Sequence, residues 1–310
     1  MYDSTKPYKE RVLEIIKRTW ETPYVSVREG LVYKKFSFSE YHHSDGIGTK
    51  GIYHWQKRSF GNAVLDVLAM NLNDMLMQRA RAYAIIDHLL VPEEDGRAIY
   101  EIVQSMANEC KRRDIAITGG ETAIHDNIQG LEISMTMLGF IEKPKPNKFN
   151  LGDILLGIKS NGLHSNGFTK VREVFGEEFR EEFICPTEIY YDEVHRLNDL
   201  VDISGMMHIT GGAYTKLKGL LNGADAVIKI GHKLEPQEIF QELYRRGVSD
   251  NEMYRTFNCG VGFVLGVSHR ELSRLLNEIK GFDAEVIGIV VKGDGKVKIK
   301  SGFSKEEVEF

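Results

Sequence analysis

The residues of this chain best suited to chemistry lie in short polar segments, and the first is Asp45-Gly46-Ile47-Gly48-Thr49-Lys50. Glycines let backbone N–H groups approach a ligand and reach positive φ without strain. Successive N–H groups can form an anion-binding nest. Lys50 adds a point charge, and Asp45 offers the hard oxygen ligand that Mg2+ prefers. The spacing G-x-x-x-x-G-K-[ST] is absent, so this is not a Walker A loop. A second segment is Asn73-Asp74, inside an apolar stretch where an acid needs a partner. Asp66, Met70, Asn73 and Met77 follow one another there at helical spacing. Either an internal ion pair or a bound cation would supply the partner. A third segment, Gly119-Gly120-Glu121-Thr122, places a carboxylate just after a short apolar run. Asp45, Asp74 and Glu121 therefore make a candidate carboxylate trio of the kind that holds Mg2+ against nucleotide phosphates.

Three further segments lie in the second half. Ser160-Asn161-Gly162-Leu163-His164-Ser165-Asn166-Gly167 sits between a predicted strand and a predicted helix. Ser165 or Asn166 can cap that helix, and the helix N-terminus favours an anion. His208-Ile209-Thr210-Gly211-Gly212 and Arg255-Thr256-Phe257-Asn258-Cys259-Gly260-Val261-Gly262 complete the set. A lone histidine is more often packed than catalytic, and Cys259 reads as core. His42-His43 is set aside as a metal pair, because adjacent strand residues point to opposite faces.

The elements that must position these groups follow from periodicity. Helices are expected over 7–19, 62–80 and 94–112. The second of them carries an apolar stripe of Leu65, Leu68, Leu72, Met75 and Leu76. Strands are expected over 31–38, 115–117 and 131–138, with a polar loop at 41–50. Lys143-Pro144-Lys145-Pro146-Asn147-Lys148 reads as a linker, so the chain divides into 1–150 and 151–310. In the second half, strands fit 153–158, 226–230, 259–267, 285–292 and 296–300, and helices fit 167–175, 213–222, 235–246 and 269–280. Asp294-Gly295 is a hairpin signal. Mixed strands and helices in both halves predict an α/β (α+β) fold. The repeat of Ile117-Thr118-Gly119-Gly120 as Ile209-Thr210-Gly211-Gly212 suggests one glycine-rich loop device used twice.

Composition narrows the partners. A net charge of −5, with scattered lysines and arginines, argues against a nucleic-acid surface. The three cysteines are far apart and include no C-x-x-C pair, which argues against a zinc site or a disulfide framework. That usage suits a reducing, cytoplasmic setting. The N-terminal residues lack a signal-peptide pattern. No apolar run approaches the ~18 residues of a membrane span, so no membrane partner is expected.

Taken in order, these segments resemble the aminoimidazole ribonucleotide synthetase (phosphoribosylformylglycinamidine cyclo-ligase) family. The stretches concerned are SDGIGTK at 44–50, AMNLNDMLMQ at 69–78, TGGETA at 118–123, SNGLHSNGFTKVRE at 160–173, CPTEIY at 185–190, HITGG at 208–212 and EMYRTFNCGVGFVLGV at 252–267. The resemblance implies a two-domain subunit. Residues 1–150 would bind ATP and dimerise through a shared barrel of N-terminal strands, and residues 151–310 would form an α/β sandwich. It implies a homodimer acting on a small ribonucleotide in purine biosynthesis. ATP would phosphorylate the formyl amide oxygen of formylglycinamidine ribonucleotide, and the amidine nitrogen would close the ring as phosphate leaves. By matching position, Asp45, Asp74 and Glu121 would hold Mg2+. Gly46, Gly48, Thr49, Lys50, Asn73 and Thr122 would contact ATP. His164, Ser165, Asn166, Thr210, Gly211 and Gly212 would form a phosphate or substrate pocket. Asp45, Lys50 and His208 would take part in catalysis, with His208 as the proton-transfer group.

Several loops depart from the family pattern. Gln78-Arg79-Ala80-Arg81-Ala82 stands where the family reads Gln-Gly-Ala-Glu-Pro. Ile124-His125-Asp126 replaces Glu-Met-Pro, and Ala213-Tyr214-Thr215-Lys216-Leu217 replaces a glycine followed by Glu-Asn-Ile-Pro-Arg. These departures keep two alternatives open: a different ATP-dependent kinase or synthetase of the same superfamily, and a non-catalytic nucleotide-binding dimer.

Overall fold

The structure is a computed structural model, and it describes residues 7–229 and 233–310. Packing divides the chain into two compact units. One comprises Met1–Met75 and Arg79–Pro144, the other Leu76–Gln78 and Lys145–Phe310.

In the first unit, α1 (Lys9–Lys17) buries Val12, Ile15 and Ile16, as its spacing predicts. β1 (Val25–Arg28) and β2 (Leu31–Lys34) pair as an antiparallel ribbon. They are followed by β3 (Ser39–Gly46), a 3₁₀ turn at Gly48–Lys50, α2 (Gly51–Lys57) and α3 (Phe60–Met77). β4 (Arg81–Val91), α4 (Gly96–Arg112), β5 (Ala116–Ile124) and β6 (Glu132–Ile141) complete the unit. The four-stranded sheet has the order β3-β6-β4-β5. β4 and β5 run parallel, and α4 makes the crossover that parallel strands require. Asp95 caps α4 by accepting from the N–H groups of Arg97 at 3.0 Å and Ala98 at 2.9 Å.

α3 is a core helix. Every residue from Asp66 to Leu76 is buried. Met75 packs against β6 so closely that a Cβ at Gly139 would lie 2.1 Å from its methyl group. On the opposite side of the sheet, Phe36 stacks on Phe140 and Tyr24 packs on it at a tilt, with ring centroids 4.3 and 5.2 Å away. Elsewhere that side stays open, and Ile86 is 45% exposed.

The expected polar loop at 41–50 is instead the strand β3 as far as Gly46, because β6 pairs with it along its whole length. The short strand expected at 115–117 runs on through both glycines to Ile124. Gly119-Gly120 is therefore strand, whereas Gly211-Gly212 lies in a turn ahead of a 3₁₀ helix. The two look-alike tetrapeptides are not the same device.

The second unit contains β7 (Ile154–Lys159), α5 (Phe168–Phe175), α6 (Tyr191–Leu200), β8 (Ile203–His208) and a 3₁₀ helix at Ala213–Leu220. β9 (Ala224–Ile228), α7 (Glu238–Arg245), α8 (Asp250–Thr256), β10 (Val261–Val267) and α9 (His269–Glu278) come next. β11 (Ala284–Lys292), β12 (Val297–Lys300) and β13 (Glu307–Glu309) end it. The seven strands run β13-β12-β9-β11-β7-β10-β8. The strand expected at 226–230 covers 224–228, and Ile230 lies outside the described residues. Asp294-Gly295 does not make a hairpin. The chain crosses over β9, because the Asp225 carboxylate on β9 accepts from the N–H groups of Asp294, Gly295 and Lys296 at 2.8–3.1 Å. β12 then pairs parallel to β9. Each unit is thus a mixed sheet with helices. Among the described residues, no helix is long and apolar enough to cross a membrane.

Candidate active site

β3 and α3 build one polar centre in the first unit. Side chains alternate along β3, so Tyr41, His43 and Asp45 share a face. That face meets α3. His43 Nδ1 lies 3.1 Å from Asn71 Oδ1, and its Nε2 lies 3.5 Å from Asp74 Oδ2. An amide oxygen only accepts, so His43 Nδ1 carries the proton. Asn71 Nδ2 donates to the Asp45 carbonyl at 3.2 Å and to Val67 O at 2.9 Å. The hydrogen bond with Asp74 raises the His43 pKa above its ordinary value, against burial, and the Asp45 charge adds to the rise. Asp45 and Asp74 therefore flank one imidazole. Asn73 is buried beside them on α3.

The Gly46–Lys50 turn is arranged differently from the expected nest. The Gly46 N–H donates to Asp45 Oδ1 at 2.7 Å, and the Ile47 N–H donates to Ile133 O at 3.1 Å. Gly48, at φ +55°, takes the left-handed conformation that favours glycine. It is exposed, and Thr49 is half-buried. Lys50 needs correction as a phosphate contact. Its side chain is fully buried, with Nζ 2.8 Å from Asp66 Oδ1, and His54 Nε2 lies 2.7 Å from Asp66 Oδ2. Burial alone would raise the Asp66 pKa. The Lys50 charge and the His54 contact outweigh it and hold the carboxyl well below the usual range. For Asp66, the internal ion pair is the partner that the apolar helix demanded.

The carboxylate trio also needs correction. Across the sheet, Asp45, Met135, Asp87 and Gly120 fall in one row, and Gly46, Ser134, His88 and Glu121 in the next. Neighbouring positions along a strand face opposite ways. Glu121 and His88 are exposed on the open side, while Met135 and Asp87 are buried on the α3 side. Among the described residues no group of three His, Cys, Asp or Glu side chains converges as a metal site. Asp87 takes the place expected of Glu121 on the face that carries Asp45. Gly120 makes room for it, since a Cβ there would lie 2.2 Å from Asp87 Oδ1. Thr122 stands in the buried row, with Oγ1 lacking a hydrogen-bond partner among the described residues.

In the second unit the two polar loops meet. The nearest atom to a Cβ built on Gly211 is Asn166 Oδ1, at 3.7 Å. Ser165 Oγ lies 2.9 Å from Thr187 Oγ1, and Lys216 Nζ donates to Thr210 Oγ1 at 2.7 Å. Gly211 and Gly212 are exposed. The histidines turn inward. His164 and His208 are fully buried, with ring centroids 6.4 Å apart. Tyr190 and Phe263 pack on His208 at 6.3 and 6.0 Å. His208 is thus a core residue of β8, and its expected role in proton transfer has no support in this placement. Asn258 holds the 160–167 loop. Its amide donates to Gly162 O at 2.7 Å, and its Oδ1 accepts from Ser160 Oγ at 2.7 Å.

The fold and these sites define a member of the AIR synthase related class. Residues 41–141 match the AIR synthase related protein N-terminal domain, and residues 150–300 match its C-terminal domain. A phosphoribosylformylglycinamidine cyclo-ligase of Saccharolobus solfataricus is 31% identical over 304 residues, covering 94% of this chain and 92% of that one. One from Thermococcus gammatolerans is 35% identical over 271 residues, covering 81% and 79%. The chain belongs to the phosphoribosylformylglycinamidine cyclo-ligase family. Its fold is shared with the hydrogenase maturation protein HypE in complex with ATP, at a TM-score of 0.69, 14% identity and coverage of 99% and 95%. It is shared too with thiamine-monophosphate kinase from Stenotrophomonas maltophilia, at 0.64, 16%, and 97% and 98%.

Proposed function

We infer that this chain is an ATP-dependent cyclo-ligase of purine biosynthesis. It closes formylglycinamidine ribonucleotide to aminoimidazole ribonucleotide, with ADP and phosphate released. The observation that carries this is family membership at 31% identity along 94% of the chain, spanning both halves. The kinase and non-catalytic alternatives have no comparable support, since the curated relatives carry the cyclo-ligase name.

The reaction needs charge neutralisation on ATP and two ends of one substrate held in register. Mg2+ usually keeps several waters and takes one or two protein carboxylates along with substrate phosphates. Asp45 and Asp74, both beside His43, fit that requirement and would hold the ion, which would neutralise the transferring phosphoryl group. Asn71 holds His43 and the Asp45 backbone in place. Gly48, Thr49, Asn73 and Thr122 remain candidates for ATP contacts. A fold neighbour solved with ATP is consistent with nucleotide binding. Ser165, Asn166, Thr210, Gly211 and Gly212 would receive the ribonucleotide, with Lys216 supplying a cation beside Thr210. Exposed Ile86 on the open sheet face supports pairing of two copies as a homodimer barrel. The absence of disulfides among the described cysteines suits a cytoplasmic setting.

The test is phosphate release from Mg-ATP by the purified protein. Release should depend on formylglycinamidine ribonucleotide and fall away without Mg2+. Robust turnover of a different acceptor, with none of this one, would refute the assignment.

A further inference from the structure

β9 and β12 run parallel, with Ile228 beside Ile299. Their C-terminal ends therefore open on the same edge of the sheet. The next residues are Lys229 and Lys300. Adjacent strands lie about 4.8 Å apart, so the two lysines leave the sheet side by side, with Glu307 of β13 across from Lys300. Among the described residues neither ammonium has an ion-pair partner. Both rim a pocket of about 410 Å³, together with Lys305 and a single carboxylate, Glu235. Lys305 Nζ is steadied by Gly302 O at 2.9 Å.

The floor of this pocket is aromatic. Tyr214 and Tyr254 are 2% and 4% exposed, and their rings meet edge-on with centroids 5.4 Å apart. Their hydroxyls are anchored. Tyr214 donates to Asn258 O at 3.0 Å, and Tyr254 accepts from the Gly302 N–H at 2.7 Å. Both rings present narrow, fixed apolar edges to the pocket. The volume falls within the ~300–1,000 Å³ of small-molecule sites.

We propose that this pocket binds a small phosphate ester carrying a planar ring, of nucleoside-monophosphate size. The phosphate sits against Lys229 and Lys300, and the ring lies on the Tyr214–Tyr254 floor. None of these residues belongs to the His43–Asp45–Asp74 centre or to the Asn166–Gly211 loops. The site goes beyond the proposed cyclo-ligase reaction and does not rest on it.

The test is calorimetric titration of the full chain with AMP, ribose 5-phosphate and inorganic phosphate. Three proteins are compared: the native chain, Asp45→Asn, and Lys229→Glu with Lys300→Glu. AMP should bind the native chain and Asp45→Asn equally, and should bind the double variant about tenfold more weakly or worse. AMP should also bind more tightly than either smaller probe. The neutral pair Lys229→Gln with Lys300→Gln guards against a folding defect and should weaken AMP while leaving the thermal midpoint unchanged. Photolabelling with an azido-AMP should mark peptides containing Tyr214 or Tyr254. Unchanged AMP affinity in the lysine variants would overturn the site, as would loss of binding in Asp45→Asn. Inorganic phosphate binding as tightly as AMP would overturn the ring contact.

Discussion

The buried Lys50–Asp66–His54 cluster makes the sharpest prediction. Asp66→Asn keeps the volume but removes the carboxylate charge that pairs with the fully buried Lys50. Breaking one side of a buried ion pair costs about 3–5 kcal/mol, because the remaining charge stays desolvated. At about 2–4 °C per kcal/mol for a domain of ordinary size, the thermal midpoint should fall by roughly 6–20 °C. Differential scanning calorimetry reads this directly, with exposed Asp126→Asn as a control for charge alone. The same group sets an acid dependence. Its folded pKa is lowered, so its contribution is full above the unfolded carboxylate value of about 3.9 and is lost as pH falls below that through the folded value. The native chain should therefore lose more stability between about pH 4 and pH 2 than Asp66→Asn does. Lys50→Met combined with Asp66→Leu should recover most of the stability, since apolar replacement of a buried pair is often neutral or better. A midpoint shift for Asp66→Asn no larger than that of Asp126→Asn would refute the reasoning. Loss of all turnover in a stable double variant would return Lys50 to the phosphate site.

Other expectations follow from single contacts. His43→Ala should weaken Mg2+ affinity about 10–100-fold, the usual effect of removing a group that orients a metal ligand, with the midpoint shifting much less; titration of Mg2+-dependent turnover checks it. Gly51→Ala should destabilise the chain by about 1–3 kcal/mol or prevent folding, because the new Cβ would lie 1.8 Å from the Leu131 carbonyl; urea unfolding reports the loss. Ile86→Lys should shift the chain toward monomer in light scattering, if the open sheet face pairs two copies.

Much of this was legible in the sequence, and the exceptions have physical causes. α4 was clear because its apolar residues recur on one face and Asp95 caps it. β4 is not, because Ala82–Ile85 are buried on both faces, and beyond them the exposed Ile86 is apolar while the buried Asp87 is acidic, which inverts the usual polarity pattern. Asp45 and Asp74 could be chosen by residue type alone. His43 was set aside with His42 as a failed metal pair, although counting back two residues along a strand from Asp45 places it on the same face. The Lys50–Asp66 pair is not legible, because spacing alone does not reveal which of several acids a lysine will meet. Glu121 was misplaced because the β4–β5 register shifts at Ile85/Ile86, and no sequence rule announces that shift. His208 fell to the packed reading that a lone histidine usually deserves.

α3 carries both Asp66 and Asp74, eight residues apart, which is about 12 Å along a helix. A rotation of about 5° about the Lys50–Asp66 contact would carry Asp74 roughly 1 Å, a misplacement that can cost a hundredfold in rate. The helix acts as a lever whose fulcrum is an ion pair sealed from solvent. In the proposed site, the aim of the Asp74 carboxylate would therefore depend on a contact that no ligand needs to touch. Variants selected for thermal stability near Lys50 should change turnover as well, because along this rod rigidity and aim are one property.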